Sequence, residues 1–317
     1  MLPLVSVVVP CYNHEPFLDD CLMGILEQDY ENIELLICDD CSTDDSYNRI
    51  LDYKLRLESK LRNVIIVKNE VNVGVTKTLN KMLKLAQGEL IKIIASDDAM
   101  VPHAIRTMVQ YMQQNTKTDV LITNGVRISE SQHYPNYTLE DKIYKSPPKF
   151  DKKRLFGMIY KRNIIFAPGA MIRRDIYIKY GLYNENRYIE DLDFWLRISK
   201  NGETEFSFLN AALIYYRKSS NSITSLKNNE NFQSRRAKFH IAEKEILNDY
   251  QNAAGHRLHA DTILQRILEE MIISKKYRLL DYEKIIQEEL MNYNMWKHVS
   301  MLMKVKYHLI ELYYNWD

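Results

Sequence analysis

The sequence predicts an α/β protein, a mostly parallel sheet covered by helices and followed by a helical appendage. Two patterns predict it. Over roughly the first 125 residues, short continuous apolar runs alternate with stretches of helical spacing. Apolar runs without in–out alternation mark strands buried on both faces, which parallel sheets produce. After about residue 228 the strand pattern stops, and heptad-like apolar spacing runs through 231–315. The expected division is therefore 1–227 and 228–317.

"VSVVVP" (5–10) is the first strand. "EPFLDDCLMGILEQ" then sets Phe17, Leu18, Cys21, Leu22, Ile25 and Leu26 at helical spacing, and Pro16 suits a first turn. "IELLICDD" (33–40) is the second strand, and the next helix begins near Asp44 and Ser46, both capping types. "VIIVK" (64–68) is the third strand. "VTKTLNKMLKLAQG" reads as a helix closed by Gly88. "LIKIIA" (90–95) is the fourth strand, and Pro102 opens the helix "HAIRTMVQYMQQ". Residues 126–165 are less regular, and "SQHYPNYTLEDKIYKSPPK" reads as a polar surface loop. Order returns around "IIFAPGAMIRRDIYIKYG". "YIEDLDFWLRISKNG" (188–202) reads as an amphipathic helix ended by Asn201-Gly202, and "AALIYYRK" (211–218) as a strand. Three or four helices follow.

The 317 residues suffice for one large α/β domain and a smaller appendage. The formal net charge of +1 gives no overall pull toward nucleic acid. No apolar run reaches membrane-spanning length. The start, "MLPLVSVVVPCYNHE", lacks a basic leader and reads as the first strand, which places the protein in the cytosol. Cys11, Cys21, Cys38 and Cys41 all fall early. Cys38 and Cys41 form C-x-x-C, but without a second such pair they read as reduced thiols rather than a metal or redox site.

Ligands of such sheets bind beyond the carboxyl ends of the strands. Asp39, Asp40, Asp97 and Asp98 all follow strands, so two acidic pairs are expected at one edge. They would repel unless a cation or a hydrogen-bonding ligand lies between them. Asp97 and Asp98 suit a hard divalent cation such as Mg2+ or Mn2+; alone, they read rather as a helix cap beside a solvated carboxylate. Tyr12, after the first strand, offers a ring on which a base could stack while a carboxylate accepts a ring N–H. Glu190, Asp191 and Asp193 cluster near a helix start, where a carboxylate could act as general base or simply match the helix dipole.

In order along the chain stand P-x-Y-N, D-D-x-S-x-D, N-x-G ("NVG", 72–74), D-D and E-D before "FWLR". Singly these are common. In this order and spacing they resemble glycosyltransferase family 2, over residues 4 to about 225. The resemblance implies the GT-A fold, a Rossmann-like, mostly parallel sheet covered by helices. It implies inverting transfer of a sugar from a nucleotide-diphosphate donor, with a UDP-sugar expected, to a hydroxyl of a glycan or lipid-linked acceptor. Such an enzyme would be a hexosyl- or N-acetylhexosaminyltransferase of bacterial surface-polysaccharide assembly.

Carried over residue by residue, Pro10, Tyr12, Asp39 and Asp40 line the nucleotide pocket, with Asp39 reading the base. Asp97 and Asp98 match the acidic motif for Mn2+ or Mg2+, with Asp97 also facing the donor. Asp191 is the general base, and Glu190 and Trp195 shape the acceptor side. Three positions depart from the family pattern. Ala95 stands where an aspartate opens the acidic motif. Ser219 stands where a metal-binding histidine is often found, which leaves Arg217 or Lys218 to contact the diphosphate. Leu79 stands where an arginine often precedes the asparagine, here Asn80.

"MWKHVSMLMKVKYHLIELYYNW" (295–316) mixes Trp296, Leu302, Met303, Leu309, Leu312, Tyr313 and Trp316 with Lys297, Lys304 and Lys306. This pattern fits a helix packed on its neighbours or on a second subunit. It also fits a helix lying on the inner face of the cytoplasmic membrane. A nucleotidyltransferase would carry a glycine-rich basic loop after the first strand, and "PCYNHEPF" is neither. The changes at Ala95 and Ser219 leave open a degenerate relative that binds a nucleotide sugar without turning it over.

Overall fold

The computed structural model describes residues 2–134, 137, 152–218, 232–276, 280–291, 293, 298–301, 303, 304 and 308. The described chain divides into two compact units. The first holds 1–155, 165–186 and 197–219, and the second holds 156–164, 187–196 and 220–317.

The first unit is built on an eight-stranded sheet. Its strands are β1 (Val5–Cys11), β2 (Ile33–Asp39), β3 (Asn63–Lys68), β4 (Leu90–Ile93), β5 (Ala99–Met100), β6 (Val120–Ser129), β7 (Ala170–Arg173) and β8 (Phe206–Lys218). Their spatial order is β3-β2-β1-β4-β7-β6-β8-β5. The pairs β1–β2, β2–β3, β1–β4 and β6–β8 are parallel. The strand β7 is antiparallel to both its neighbours, and β5 to β8. All of β2 and nearly all of β1 are buried, which explains their largely apolar sequence, interrupted by Ser6 and Glu34, which bond to each other.

The connections on this sheet include α1 (Glu15–Leu26), α2 (Ser46–Lys60), α3 (Val75–Leu85) and α4 (Ala104–Gln114). Leu18, Leu22 and Ile25 of α1 pack with Val7, Leu35 and Met108 in the main core. Each such side chain contributes about 1.5–3 kcal/mol by its burial.

Three expectations need correction. The helix α3 ends at Ala86 in an extended conformation, two residues before Gly88. Gly88 instead permits a close approach: a Cβ there would lie 2.5 Å from the Ser6 backbone nitrogen. Its N–H donates to Ser6 Oγ (2.8 Å) and to the buried Glu34 (2.9 Å). Secondly, residues 126–129 complete the ten-residue strand β6. Thirdly, a helix, α5 (Lys152–Lys161), falls in the stretch read as irregular. The loop expected over 131–149 lies mostly outside the described residues, as do Ser219 and most of the tail over 295–316.

After α5 the chain makes a 3-10 turn (Ala167–Gly169), then β7, α6 (Arg174–Tyr180) and α7 (Glu190–Ser199). The helix α7 is not amphipathic in its surroundings: Leu192, Asp193, Phe194, Trp195, Leu196, Ile198 and Ser199 are all buried. Among the described residues the cysteines are free thiols, and burial pushes Cys11 up to about 12 and Cys38 to about 11.

The second unit contains α8 (Phe232–Asp249), α9 (Gln251–Ala254), α10 (His256–Lys276) and α11 (Leu280–Met291). Ile246, Leu247, Leu264, Ile267 and Ile286 are buried in it. Ion pairs Arg266–Glu243 and Lys244–Glu289 tie its helices together. Tyr160 donates to the Leu247 carbonyl at 2.8 Å and meets His259 Nδ1 at 2.6 Å. Tyr250 reaches Asp193 at 3.3–3.4 Å. These bonds draw 156–164 and 187–196 into the helical unit. Among the described residues no helix is long and apolar enough to cross a membrane.

Candidate active site

In the first unit, the carboxyl ends of β2 and β4 flank β1, so Asp39, Asp40, Asp97 and Asp98 stand at one edge of the sheet. Pro10 lies on β1 opposite Cys38, and Cys11 opposite Asp39. Tyr12 is the next residue and is 43% exposed, an open aromatic face. Asn13 fixes the turn beneath it. Its backbone is left-handed (φ 53°), its N–H donates to Ser42 Oγ at 2.9 Å, and its Oδ1 accepts from Thr43 N at 2.8 Å.

Asp39 and Asp40 divide their work. Asp40 is buried, and its Oδ1 accepts from Asn69 (2.8 Å) and from Val73 N (2.9 Å), while Oδ2 accepts from Gly74 N (2.8 Å). Its carboxylate thus shapes the "NVG" loop, where Gly74 takes the positive φ of 87° that a side chain would strain. Asp39 Oδ2 accepts from Ser42 N at 3.0 Å. Its Oδ1 is buried and has no partner among the described residues.

Asp97 and Asp98 also differ. The Asp97 side chain is 16% exposed, with His14 Nδ1 4.0 Å from its Oδ1. That same Nδ1 lies 2.8 Å from Ser96 Oγ. Asp98 is 1% exposed, and its Oδ1 accepts from the Arg217 backbone N–H at 2.9 Å. Burial, then the charge of Asp97, pushes the Asp98 carboxyl well above the usual range, and Lys92 and Arg217 oppose the shift. Lys92 is itself buried and lowered to about 7 by desolvation; its Nζ donates to the carbonyls of Ile93 and Pro168. The two-carboxylate chelate expected from sequence is therefore not presented, because Asp98 is sealed among its own partners. Among the described residues no cluster of three or more His, Cys, Asp or Glu could hold a metal ion. One open carboxylate still suits a hard divalent cation that takes its remaining ligands from phosphate and water.

Arg217, expected at the diphosphate, is 1% exposed. Its guanidinium donates to the carbonyls of Asp97 (3.0 Å), Ser129 (2.9 Å) and Gln132 (2.5 Å) and to the Asp20 carboxylate. These acceptors occupy it inside the unit.

Glu190, Asp191 and Trp195 lie in the second unit. Asp191 Oδ1 accepts from Leu192 N at 2.7 Å, and Oδ2 from Asn163 Nδ2 at 3.2 Å. Burial raises the Asp191 carboxyl, while these donors and Trp195 favour its ionised form. Glu190 is pushed up to about 7, first by burial and then by the charge of Asp191. Trp195 is fully buried, packed edge-on against Phe194 at 5.3 Å, so it presents no open face. The helix start thus carries two carboxylates of raised affinity for protons, as a base working near neutral pH requires.

Sequence reading passed over His14, Asn13, Ser96, Asn163 and Asp20. Asn13 stood within P-x-Y-N, a usable signal. Asn163 and Asp20 gave none, because polar residues in helices and loops are ordinary until burial is known.

The profile of Glycosyl transferase family 2 matches residues 6–181. A Haemophilus influenzae protein named as a glycosyltransferase is 27% identical over 316 residues, covering 97% of this chain and 92% of that one. TuaG of Bacillus subtilis, named for teichuronic acid biosynthesis, is 28% identical over 232 residues, covering 71% and 83%. Among solved structures, Staphylococcus aureus TarS 1–349 in complex with UDP-GlcNAc superposes with a TM-score of 0.57 at 18% identity, covering 90% and 91%. Mannosyltransferase PcManGT from Pyrobaculum calidifontis, in complex with GDP-Man and Mn2+, does so at 0.58 and 16%, covering 94% and 88%. These likenesses bear out the expected GT-A architecture. Fold, ordered motifs and a profile match over more than half the chain agree: this chain is a glycosyltransferase and belongs to glycosyltransferase family 2.

Proposed function

We propose that the protein transfers a sugar from a UDP-sugar, with inversion, to a hydroxyl of a glycan or lipid-linked acceptor in surface-polysaccharide assembly. The observation that carries the donor assignment is the buried Oδ1 of Asp39, without a partner among the described residues and one strand register from the exposed ring of Tyr12. A base bound there must bring an N–H. Uracil has one ring N–H, at N3. Guanine presents adjacent N1–H and N2–H donors that pair with both oxygens of a carboxylate. Asp39 Oδ2 is already held by Ser42, so one oxygen remains for one donor. The likeness to TuaG supports the polysaccharide context.

Asp97 is the residue that would hold a divalent cation. When bound, such a cation neutralises the donor diphosphate and eases its departure. Asp98 stays inside the fold, where its carboxylate accepts the Arg217 N–H and fixes the acidic turn. Asp191 takes the proton from the acceptor hydroxyl. The acceptor oxygen bonds to the anomeric carbon on the face opposite the diphosphate. The bond from that carbon to the phosphate oxygen breaks, and its electron pair leaves with UDP. Burial and the charge of Asp191 favour the neutral form of Glu190, which limits the negative charge beside the base.

Calorimetry with UDP and GDP, each with and without Mn2+, tests the donor assignment. UDP is expected to bind about tenfold or more tightly than GDP, the cost of one unmatched buried donor. Equal affinities would contradict the reading of Asp39.

A further inference from the structure

Arg217 is a fully enclosed cation whose hydrogen bonds all hold other parts of the first unit. Its Nε binds the Asp97 carbonyl at 3.0 Å, and its own backbone N–H binds the Asp98 carboxylate at 2.9 Å. Both residues of the acidic turn are therefore gripped by one residue at the end of β8. The other side of the guanidinium is anchored on α1. It pairs with Asp20 and lies over the Phe17 ring, 4.8 Å from its centroid. Asp20 sits on a helix whose neighbouring Asp19 faces outward to Arg49, yet Asp20 itself is 2% exposed. Its Oδ1 also accepts from Tyr134 N at 2.8 Å, and its Oδ2 lies 3.3 Å from His133 Nδ1. A planar guanidinium presents its donors in a fixed fork, so an anchor at one end sets the direction at the other.

We propose that the buried Asp20–Arg217 pair is a positioning device for Asp97, fixing how its carboxylate meets the cation and diphosphate of the donor. The inference rests on the reading of Asp97 as the cation-holding residue. Asp20 touches neither donor nor cation; it acts through Arg217, and Arg217 acts through the Asp97 carbonyl and the Asp98 carboxylate. Groups that orient a metal ligand typically change metal affinity about 10–100-fold when altered.

The test compares UDP and uridine binding, with and without Mn2+, in Asp20→Asn, Arg217→Lys and Asp97→Asn, each well below its own melting temperature. Asp20→Asn keeps the side-chain volume and removes the charge; Arg217→Lys keeps the charge and removes the fork. Both are expected to weaken Mn2+-dependent UDP binding about tenfold or more and to leave uridine binding unchanged. A pair that only held the fold together would lower the melting temperature and leave Mn2+-dependent affinity at the wild-type value, and that result overturns the proposal. Asp97→Asn separates the two claims. Should it retain full Mn2+ dependence, the reading of Asp97 itself falls. Should it lose the dependence while Asp20→Asn and Arg217→Lys keep it, only the positioning role falls. If Arg217→Lys does not fold, the near-isosteric Asp20→Asn decides by the same readout.

Discussion

Asp39 and Asp40 are adjacent in sequence, carry the same side chain and are both buried, yet their oxygens do different things. Both Asp40 oxygens accept N–H groups of the 69–74 loop, whereas Asp39 keeps one oxygen without a partner among the described residues. Asp40→Asn would turn an amide toward donors it cannot accept, at about 1.5–3 kcal/mol for a lost bond to a charged group. Its melting temperature should therefore fall. Asp39→Asn should leave stability nearly unchanged and weaken UDP binding about tenfold or more, by the same scale. Calorimetry beside thermal melts checks the pair; a reversed pattern would exchange their roles. Asp191→Asn should abolish transfer while donor affinity stays near wild type, and parallel loss of both would contradict its role as base. Glu190 gives a pH test with a definite sign. Unfolded, it ionises near 4.5; folded, only near 7, because burial favours the neutral acid. The folded state thus holds an extra proton between these values, and stability is lost as pH rises through that window. Glu190→Gln should therefore be more stable than wild type at pH 8, by at most about 3 kcal/mol at 1.36 kcal/mol per unit, and equal to it near pH 4. Melts at both pH values check this. The sequence showed which residues are acidic but not which oxygens remain open, because that depends on N–H donors from loops thirty residues away.

At the level of elements, the β1–α1–β2–α2–β3–α3–β4 run was legible because each strand is a short, mostly apolar block and each helix has an apolar stripe. The strand β6 was hidden. Thr123, Asn124 and Gly125 interrupt its apolar run, and the register with β8 shifts there. The helix α5 was hidden by "DKKRLF", whose polar start resembles the polar sequence before it. Gly88 was read as a helix stop because glycine commonly is one, but its place is set by packing against β1. Gly88→Ala forces a Cβ into the Ser6 backbone and should cost about 1–3 kcal/mol. That corresponds to a fall of roughly 2–12 °C in melting temperature for a domain of this size. A melt within a degree of wild type would show that β1 and the turn can part without cost.

At the scale of the whole molecule, the acidic residues at the sheet edge were legible as a group because strand ends of a parallel sheet gather at one side. The buried Asp20–Arg217 pair was not, since its partners are 197 positions apart in sequence and nothing in a single chain marks the pairing. The departure at Ala95 and the enclosure of Asp98 now read together: with the first motif aspartate absent and Asp98 sealed, Asp97 stands as the open carboxylate of the turn. Donor binding by the first unit should accordingly depend on Mn2+ in a manner that Asp97→Asn removes. Crystals grown with UDP and Mn2+ test the central claim most directly. The uracil N3–H is expected on Asp39 Oδ1 with the ring against Tyr12, and the cation on the Asp97 carboxylate. A nucleotide bound elsewhere, or a cation held without Asp97, would contradict it.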